Sequence, residues 1–471
     1  MRTRLIVMTM MLASCGAGQG TAGPPGAGVA GELSDLVAPE ARGKQDTGYY
    51  SNVAVELDGA IAGRIELADD ASGRRALDDA EFRDTLVQLQ LRYAKNGLKA
   101  YGLHLNLTAA NADVLAPRRE GGKIVFVYKI AIETIVTKAD LEAGGVRSAD
   151  ELTGQLVRFD APADPREVFA RAGALCASNY KTLDDLTEEN YFYYFDSKKQ
   201  ACAQRVPLTR GAFSIRATLP KKTAYPEYDR LAADGRIDVA AYFGAAHAAD
   251  DGSVSAHDAG LRAWRAFRET LLARGFAISG TADDASAMGE RFVRTRASLT
   301  ETVNVIGPDD LAKPHADPAV LARLIHNNEI IIYAGHAFYG SLDLLDEPST
   351  YPKDRYQIFF MSACWTYEYY TKQIFRNKAT ASDPSGWTNA DVVNDTEVGW
   401  FNNYAAVSRI LLTNLLRGAE TGGREGERRY HWGNIVTSLN KHAFDAYTQY
   451  GYRTHELFGV SGVRTNTFTP R

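Results

Sequence analysis

The sequence has few cysteines, little excess of charge of either sign and no long apolar run. Four cysteines in 471 residues are too few for a disulfide-dense scaffold. The 53 basic and 58 acidic residues give a formal net charge of −5, so the chain lacks the basic excess that neutralises nucleic-acid phosphates. No apolar run reaches the roughly 18 residues of a spanning helix, which argues against a polytopic membrane protein.

The rest of the composition is that of an ordinary globular protein. Hydrophobic residues make up 45% of the chain and charged residues 24%, which excludes disorder, collagen and coiled coil as the main organisation. At roughly 100–200 residues per domain, the length predicts two or three domains. Neither Cys-x-x-Cys nor His-Glu-x-x-His occurs, so the sequence supports no metal site and predicts no cofactor.

The first 15 residues are typical of an export signal that ends in a lipid anchor. Arg2 and Arg4 precede an apolar run at residues 5–12, which is too short to span a bilayer. The run ends in Leu12-Ala13-Ser14-Cys15, a motif that resembles the lipobox of bacterial lipoproteins. The resemblance implies that Cys15 carries a thioether-linked diacylglyceryl group and a further acyl chain such as palmitate, which together anchor a protein firmly. The alternative is an ordinary secretory signal with an incidental cysteine.

Residues 1–14 are therefore predicted to be a lipoprotein signal peptide, and residues 15–45 the lipidated cysteine and a glycine-rich tether. Seven glycines and two prolines between residues 16 and 31 cannot build a core. A flexible tether of about thirty residues spans roughly 30 Å root-mean-square, so it would hold the folded part off the membrane. By resemblance to lipoproteins of two-membrane bacteria, Gly16 stands where an inner-membrane retention signal has Asp. This favours the outer membrane of the bacterial cell envelope.

Residues 46–210 predict a smaller α+β domain whose role the sequence does not reveal. Residues 53–67 alternate as a strand or hairpin does, with a turn signal at Asp58-Gly59. Residues 81–95 predict a helix that ends at Asn96-Gly97.

Cys176 and Cys202, near the end of this region, are the candidates for a disulfide. The stretch between them is rich in tyrosine and phenylalanine. In an exported protein two such cysteines are expected to pair, and the bridge would stabilise the fold by roughly 3 kcal/mol. The alternative is a pair of buried thiols.

Residues 211–471 predict a larger α/β domain. Three apolar runs are typical of buried strands: residues 237–244, 329–334 and 357–362. Amphipathic helices are predicted around them, the clearest at residues 257–274 and 403–417. Buried strands between amphipathic helices imply a mostly parallel sheet that is covered by helices on both faces.

One histidine and one cysteine each follow an apolar strand by two residues. His336 comes after the strand that ends at Ala334, and Cys364 comes after the strand that ends at Ser362. Ligand sites in open parallel sheets lie beyond the carboxyl ends of the strands, and neighbouring strands are about 4.8 Å apart. The imidazole and the thiol can therefore face a common point, which is the geometry that nucleophilic catalysis needs.

Gly335-His336 and Ala363-Cys364, each at the end of an apolar strand, resemble the motifs of the caspase–gingipain–legumain superfamily of cysteine peptidases. The resemblance is closest to the gingipains, since export suits bacterial surface peptidases. It implies a caspase-like fold and an exported, lipid-anchored cysteine endopeptidase that acts on peptide or protein substrates.

The same resemblance implies a role for each residue of the two motifs. Cys364 would be the nucleophile and His336 the acid and base. The backbone N–H groups of Cys364 and of the residue after the histidine would bind the oxyanion. That residue is Ala337 here, where the family usually has glycine. The alternative is a catalytically inactive surface lipoprotein that uses the peptidase-like fold as a binding module.

The lipid anchor gives a first testable prediction. Labelled palmitate fed to the producing bacterium should be incorporated into this protein, because the lipobox-like motif directly follows the apolar run. The labelled protein should partition into detergent. A Cys15→Ala variant should carry no label, and equal labelling of the variant would refute the anchor.

Overall fold

The computed structural model describes most of the chain beyond residue 47. The described residues are 48–99, 102–105, 113–143, 145–178, 182–183, 186–188, 190–218, 224–249, 251–296, 299–312, 317–337, 345, 347–450 and 456–470. They form two compact units, the first from residue 55 to residue 218 and the second from residues 48–54 and 224–470. The predicted signal peptide, Cys15 and the tether lie outside the described residues.

The described residues of the first unit form a sheet of seven strands. Its strands are β1 (Ala54–Ala68), β2 (Leu103–Leu105), β3 (Asp113–Val114), β4 (Arg118–Glu120), β5 (Lys123–Thr137), β6 (Leu156–Pro162) and β7 (Leu208–Thr218). The order is β2-β5-β1-β7-β6, with β3 and β4 also paired to β5. β7 runs antiparallel to β1 and β6, and β5 runs antiparallel to β2, β3 and β4. The expected domain boundary at residue 210 falls inside β7.

The helices of the first unit are short apart from one. They are α1 (Ala71–Asp78), α2 (Ala80–Lys99), α3 (Lys138–Ala143), α4 (Val168–Ala172) and α5 (Gln200–Ala203). The predicted helix end at Asn96-Gly97 is wrong, because α2 continues to Lys99. The Asn96 amide donates to the carbonyl oxygens of Phe192 and Tyr193 at 2.6 and 3.0 Å, so tertiary hydrogen bonds hold the helix through its expected end.

The turn predicted at Asp58-Gly59 is also absent, since β1 runs through both residues with an irregular register at that point. Elsewhere in the first unit, Cys176 and Cys202 are joined in a disulfide. Both lie fully buried in a cluster with Tyr191 and neighbouring apolar side chains. The aromatic stretch between the cysteines therefore forms a core around the bridge.

The second unit is built on an eight-stranded sheet. Its strands are β8 (Arg236–Phe243), β9 (Ala277–Gly280), β10 (Glu290–Arg296), β11 (Leu299–Ile306), β12 (Ile330–Ala334), β13 (Gln357–Ser362), β14 (Ala390–Asp395) and β17 (Phe458–Ser461), and a separate hairpin contains β15 (Arg424–Glu425) and β16 (Arg428–Arg429). The order across the sheet is β17-β14-β13-β12-β8-β11-β10-β9.

The prediction of a mostly parallel, caspase-like sheet is wrong. The strands from β14 to β11 are parallel, but β17, β10 and β9 run antiparallel to their neighbours. With the antiparallel pairings of the first unit, the described chain is mixed α/β. None of the three antiparallel strands has the long apolar run that marks a buried strand: β9 is exposed along its whole length, β10 carries four charged residues among its seven, and β17 is buried but only four residues long.

Helices cover both faces of the eight-stranded sheet. They are α6 (Tyr228–Leu231), α7 (Ala259–Ala273), α8 (Pro308–Leu311), α9 (Pro318–Asn327), α10 (Thr366–Lys378), α11 (Phe401–Glu420) and α12 (Trp432–Tyr450). On one face, α7, α11 and α12 share a core with the sheet that includes Val239 and Phe360. On the other face, the Tyr242 hydroxyl donates to the carbonyl of Leu321 on α9 at 3.1 Å.

Helix α11 runs three residues beyond its predicted end at residue 417. Gly418 lies within the helix and packs directly on Tyr228. A Cβ at that position would lie 2.2 Å from the tyrosine ring. Glycine serves close packing here and not as a helix stop. Among the described residues, no helix combines the length and the apolar character needed to cross a membrane.

Candidate active site

The register of β12 and β13 brings the two predicted catalytic residues to one edge of the sheet. The strands are parallel neighbours, and Ala334 lies opposite Ser362 at their carboxyl ends. His336 and Cys364 each follow two residues later, so they leave adjacent strands from matched positions. The His336 side chain is exposed, and Cys364 is partly exposed with its thiol outside any disulfide.

Two tyrosines bond to the backbone that carries the histidine. The Tyr404 hydroxyl donates to the carbonyl of Gly335 at 2.9 Å, and the Tyr333 hydroxyl donates to the carbonyl of His336 at 2.7 Å. Removal from water raises the pKa of both tyrosines, and the nearby Cys364 thiol adds to each rise. The two hydroxyls therefore hold the backbone of residues 335 and 336.

One contact fixes the proton on the His336 ring. The Nε2 atom lies 2.9 Å from the carbonyl oxygen of Ala246, in the loop after β8, and the ring packs edge-on against Phe401 at 4.9 Å between centroids. A carbonyl oxygen can only accept a hydrogen bond, so Nε2 carries the hydrogen. Nδ1 is then the basic nitrogen of the neutral ring.

The carboxylate of Asp258 ties the Ala246 loop to the first turn of α7. It accepts from the backbone N–H groups of Ala246 and His247 at 3.1 and 2.9 Å. It also caps α7 by accepting from the N–H groups of Gly260 and Leu261 at 2.8 and 3.1 Å. Burial opposes ionisation of this carboxyl, but the four N–H donors outweigh it and lower the pKa of Asp258. One ionised side chain therefore positions the loop that orients the histidine.

The nucleophile candidate sits in a sharp turn between β13 and α10. Trp365, directly after Cys364, adopts the left-handed conformation with φ 52° and ψ 36°. Such a conformation costs a non-glycine residue about 1–3 kcal/mol and persists only where the surroundings enforce it. Here the Thr366 hydroxyl donates to the carbonyl of Met361 at 2.7 Å and accepts from the N–H of Asp395 at 2.9 Å.

The loop at residues 396–400 packs against this turn. The carbonyl of Glu397 accepts from the N–H of Trp365 at 2.8 Å, and the carbonyl of Gly399 lies 3.9 Å from the Cys364 Sγ. The packing favours glycine at residue 399, because a Cβ there would come within 2.6 Å of the Tyr404 hydroxyl and within 3.1 Å of the backbone of Ala363. The thiol also precedes the first turn of α10, where the positive end of the helix dipole favours a thiolate.

Two buried carboxyls accept hydrogen bonds from the backbone of the same loop. Asp395 accepts from the N–H groups of Glu397 and Leu457, both at 2.9 Å, and Glu456 accepts from the N–H of Trp400 at 3.0 Å. Burial raises the pKa of both acids, to about 7 for Glu456, and the charge of Glu456 raises the pKa of Asp395 further. Burial therefore favours a protonated carboxyl at each position.

The structure separates the sequence-predicted residues into three groups. His336 and Cys364 share one sheet edge, and the buried Ala337 follows the histidine. Cys176 and Cys202 belong to the first unit, and Cys15 lies outside the described residues. Among the residues that the structure describes, no group of three or more His, Cys, Asp or Glu side chains could hold a metal ion.

Sequence reasoning missed the supporting residues of the site, which are Ala246, Asp258, Asp395, Tyr404 and Glu456. Asp258 had a usable signal, since an Asp directly before a helix predicts a cap. Asp395 ends a strand beside β13, a position where ligand-site residues collect. A backbone carbonyl such as that of Ala246 leaves no mark in a sequence.

Comparison of the chain with models of protein families, with curated proteins and with solved structures finds no match in any of the three. The case for a function therefore rests on the chemistry and geometry of the site itself.

The protonation of Glu456 gives a prediction for the site's stability. Its pKa is raised from 4.5 to about 7, so the folded state prefers the protonated form. This preference stabilises the fold fully below about pH 4.5 and is lost as the pH rises through 7. Glu456→Gln should remove this loss of stability at higher pH, because glutamine does not ionise. The Asn403 amide, which donates to Glu456, can turn so that its oxygen accepts from the glutamine NH2 group.

The measurement is denaturant unfolding between pH 4.5 and 8, followed by tryptophan fluorescence. All five tryptophans lie in the second unit, so the signal reports that unit alone. Glu456→Gln should be more stable than the wild type at pH 8 and should show a weaker dependence on pH. Asp445→Asn, at an exposed ion pair on α12, is the control and should follow the wild type. Parallel pH profiles for wild type and Glu456→Gln would contradict the account.

Proposed function

We propose that the second unit is a cysteine endopeptidase in which Cys364 is the nucleophile and His336 moves the proton. The observation that carries the proposal is the pairing of Ala334 with Ser362, which starts both side chains from matched positions on adjacent strands. The likeness of the two motifs to the caspase–gingipain–legumain superfamily supports the same chemistry. The support comes from the motifs and their placement, and not from the sheet, whose strands are mixed in direction.

The proposed reaction follows from the protons on the two side chains. His336 Nδ1 accepts the thiol proton of Cys364, and the thiolate attacks the peptide carbonyl carbon to form a tetrahedral intermediate. The carbonyl of Ala246 accepts from Nε2–H and stabilises the imidazolium that forms. The imidazolium then donates a proton to the leaving amine, and water hydrolyses the acyl-enzyme.

The oxyanion of the intermediate needs donors that are already in place. The backbone N–H groups of Cys364 and Ala337 are the proposed donors, each worth about 3–4 kcal/mol in the transition state when well aimed. Ala337 is 5% exposed, so its methyl group occupies a packed position beside the histidine. That methyl group is also the reason to keep an alternative, in which the unit is an inactive binding module on a surface lipoprotein.

The proposed setting is the bacterial cell envelope, with the outer membrane favoured. The chain would be held there by lipid on Cys15 and would act on peptide or protein substrates. The support is the lipobox-like motif at residues 12–15, together with the glycine-rich tether that follows it.

Substitution of the two catalytic candidates tests the proposal. Cys364→Ala should abolish cleavage of a fluorogenic peptide library, because the bond-forming atom is lost. His336→Ala should lower kcat/KM by about 10²–10⁴-fold, the usual contribution of a general acid and base. His326→Ala, at an exposed position on α9, is the matched control and should leave cleavage unchanged. Both site variants should remain folded, because they lie in loops beyond the strands.

Ala337→Gly separates the enzyme from the binding module. If alanine merely stiffens the oxyanion loop, the variant should keep or raise the activity of the wild type. If neither wild type nor Ala337→Gly cleaves any peptide, the peptidase proposal is overturned and the binding module replaces it.

A second prediction concerns Asp258, which positions the histidine through the Ala246 loop. Serine is a good helix cap, so Asp258→Ser should still cap α7 but cannot bridge to Ala246 and His247. We expect kcat to fall by about tenfold or more with little change in KM, since small misplacements of catalytic groups are costly. Asp258→Asn keeps an oxygen for Ala246 and should recover part of the loss.

Asp317→Ser is the matched control for this prediction. Asp317 caps α9 through the N–H groups of Ala319 and Val320, and among the described residues its side chain bonds to no loop of the site. Asp258→Ser should lose more stability, because it also loses the bonds to Ala246 and His247, so kcat is measured at a temperature where both variants are folded. Only Asp258→Ser should then lose kcat. An equal fall in kcat for both variants would mean that Asp258 acts as a cap and nothing more.

A further inference from the structure

A cleft rich in arginine lies between α7, β10 and α11, away from the candidate active site. It is lined by Arg274, Arg294, Arg296, Arg409, Arg417 and Glu420 over an apolar floor. Its volume of about 60 Å³ is far below the roughly 300 Å³ or more of a drug-sized pocket. The cleft therefore suits a single small charged group.

Some of these arginines are already neutralised by carboxylates. Arg294 bonds to Glu301 at 2.5 Å and to Glu420 at 3.4 Å, and its guanidinium stacks on Phe276 at 4.5 Å. Arg417 bonds to Glu420 at 2.8 Å and also pairs with Glu425. The hydrogen-bonding capacity of these two arginines is therefore largely used inside the protein.

Arg274 and Arg409 differ from the other arginines of the cleft. Among the described residues, no carboxylate forms an ion pair with either of them, and both are only partly exposed. Burial lowers the pKa of Arg274, and the positive charges of Arg409, Arg294 and Arg296 lower it further. Arg409 likewise adds to the effect of burial in lowering the pKa of His442 on α12. Two positive charges therefore line one small cleft, and the carboxylate that also lines it, Glu420, pairs with the other arginines and not with these two among the described residues.

We propose that Arg274 and Arg409 bind a phosphate group in this cleft. A phosphate dianion matches the two uncompensated positive charges, and planar guanidinium groups hold phosphate oxygens through paired hydrogen bonds. The bound group is either a free phosphate ion or the phosphate of a larger ester. The cleft and the candidate active site use different parts of α11. Tyr404, in the first turn, bonds to the active-site backbone, whereas the residues that line the cleft begin at Arg409, so the phosphate site does not depend on the proposed peptidase activity.

The test is thermal unfolding of the full chain, followed by tryptophan fluorescence of the second unit. Sodium phosphate is compared with sodium chloride at equal ionic strength, so that general screening is the same in both. Phosphate at ten times Kd should raise Tm by about 3–6 °C over chloride. Glycerol phosphate distinguishes the sources: a larger rise than with inorganic phosphate indicates an ester, and a smaller one indicates the free ion.

Two matched variants locate the effect. Arg409→Gln should lose the rise with phosphate, yet without phosphate it should be at least as stable as the wild type, because a repulsion is removed. Arg417→Gln should do the reverse: it should lower Tm without phosphate by breaking two ion pairs, and it should keep the rise with phosphate.

Either of two results would overturn the proposal. One is equal Tm in phosphate and chloride for the wild type, with glycerol phosphate also without effect. The other is a full phosphate effect in Arg409→Gln and in Arg274→Gln, which would place the binding elsewhere.

Discussion

Parallel hydrogen bonding between β12 and β13 places Ala334 opposite Ser362, and the candidate site is built outward from that pair. A shift of one residue in this register would turn every side chain of a strand to the opposite face. The buried apolar side chains of both strands make such a shift costly, so the core of the sheet sets the relative positions of His336 and Cys364. The Tyr404 hydroxyl then bonds the backbone before His336 to α11, so this helix also holds the histidine segment in place.

Beyond the strands, backbone N–H groups bonded to buried carboxyls determine the shape of the site. Asp258 collects four such donors and holds the loop that faces His336, while Asp395 and Glu456 hold the loop that faces the thiol. Buried carboxyls are costly unless they are hydrogen-bonded or protonated. The two loops satisfy this condition in different ways, since the donors of Asp258 favour its ionised form, whereas burial raises the pKa of Glu456 to about 7 and favours its protonated form. Because Glu456 ionises as the pH rises through 7, its burial under the loop lowers the stability of the fold near neutral pH.

Sequence patterns predicted the parts of this architecture that depend on continuous apolar runs. They found the central strands β8, β12 and β13 and placed His336 and Cys364 beyond two of them. They failed for the antiparallel edges, because half-exposed strands such as β10 carry no such run, and the sheet was wrongly expected to be mostly parallel. They also failed for the partners of the histidine, since the Ala246 carbonyl belongs to the backbone and the reach of Asp258 depends on how α7 packs.

The central claim is that His336 activates the Cys364 thiol. The most direct measurement is the rate constant for alkylation of Cys364 by iodoacetamide near pH 6.5, in wild type, His336→Ala and His326→Ala. Among the described residues Cys364 is the one cysteine outside a disulfide, so peptide mapping assigns the adduct without ambiguity. The account predicts that wild type and His326→Ala react equally fast and that His336→Ala reacts at least about tenfold more slowly, because the imidazole no longer takes the proton. Equal rates in all three proteins would contradict it.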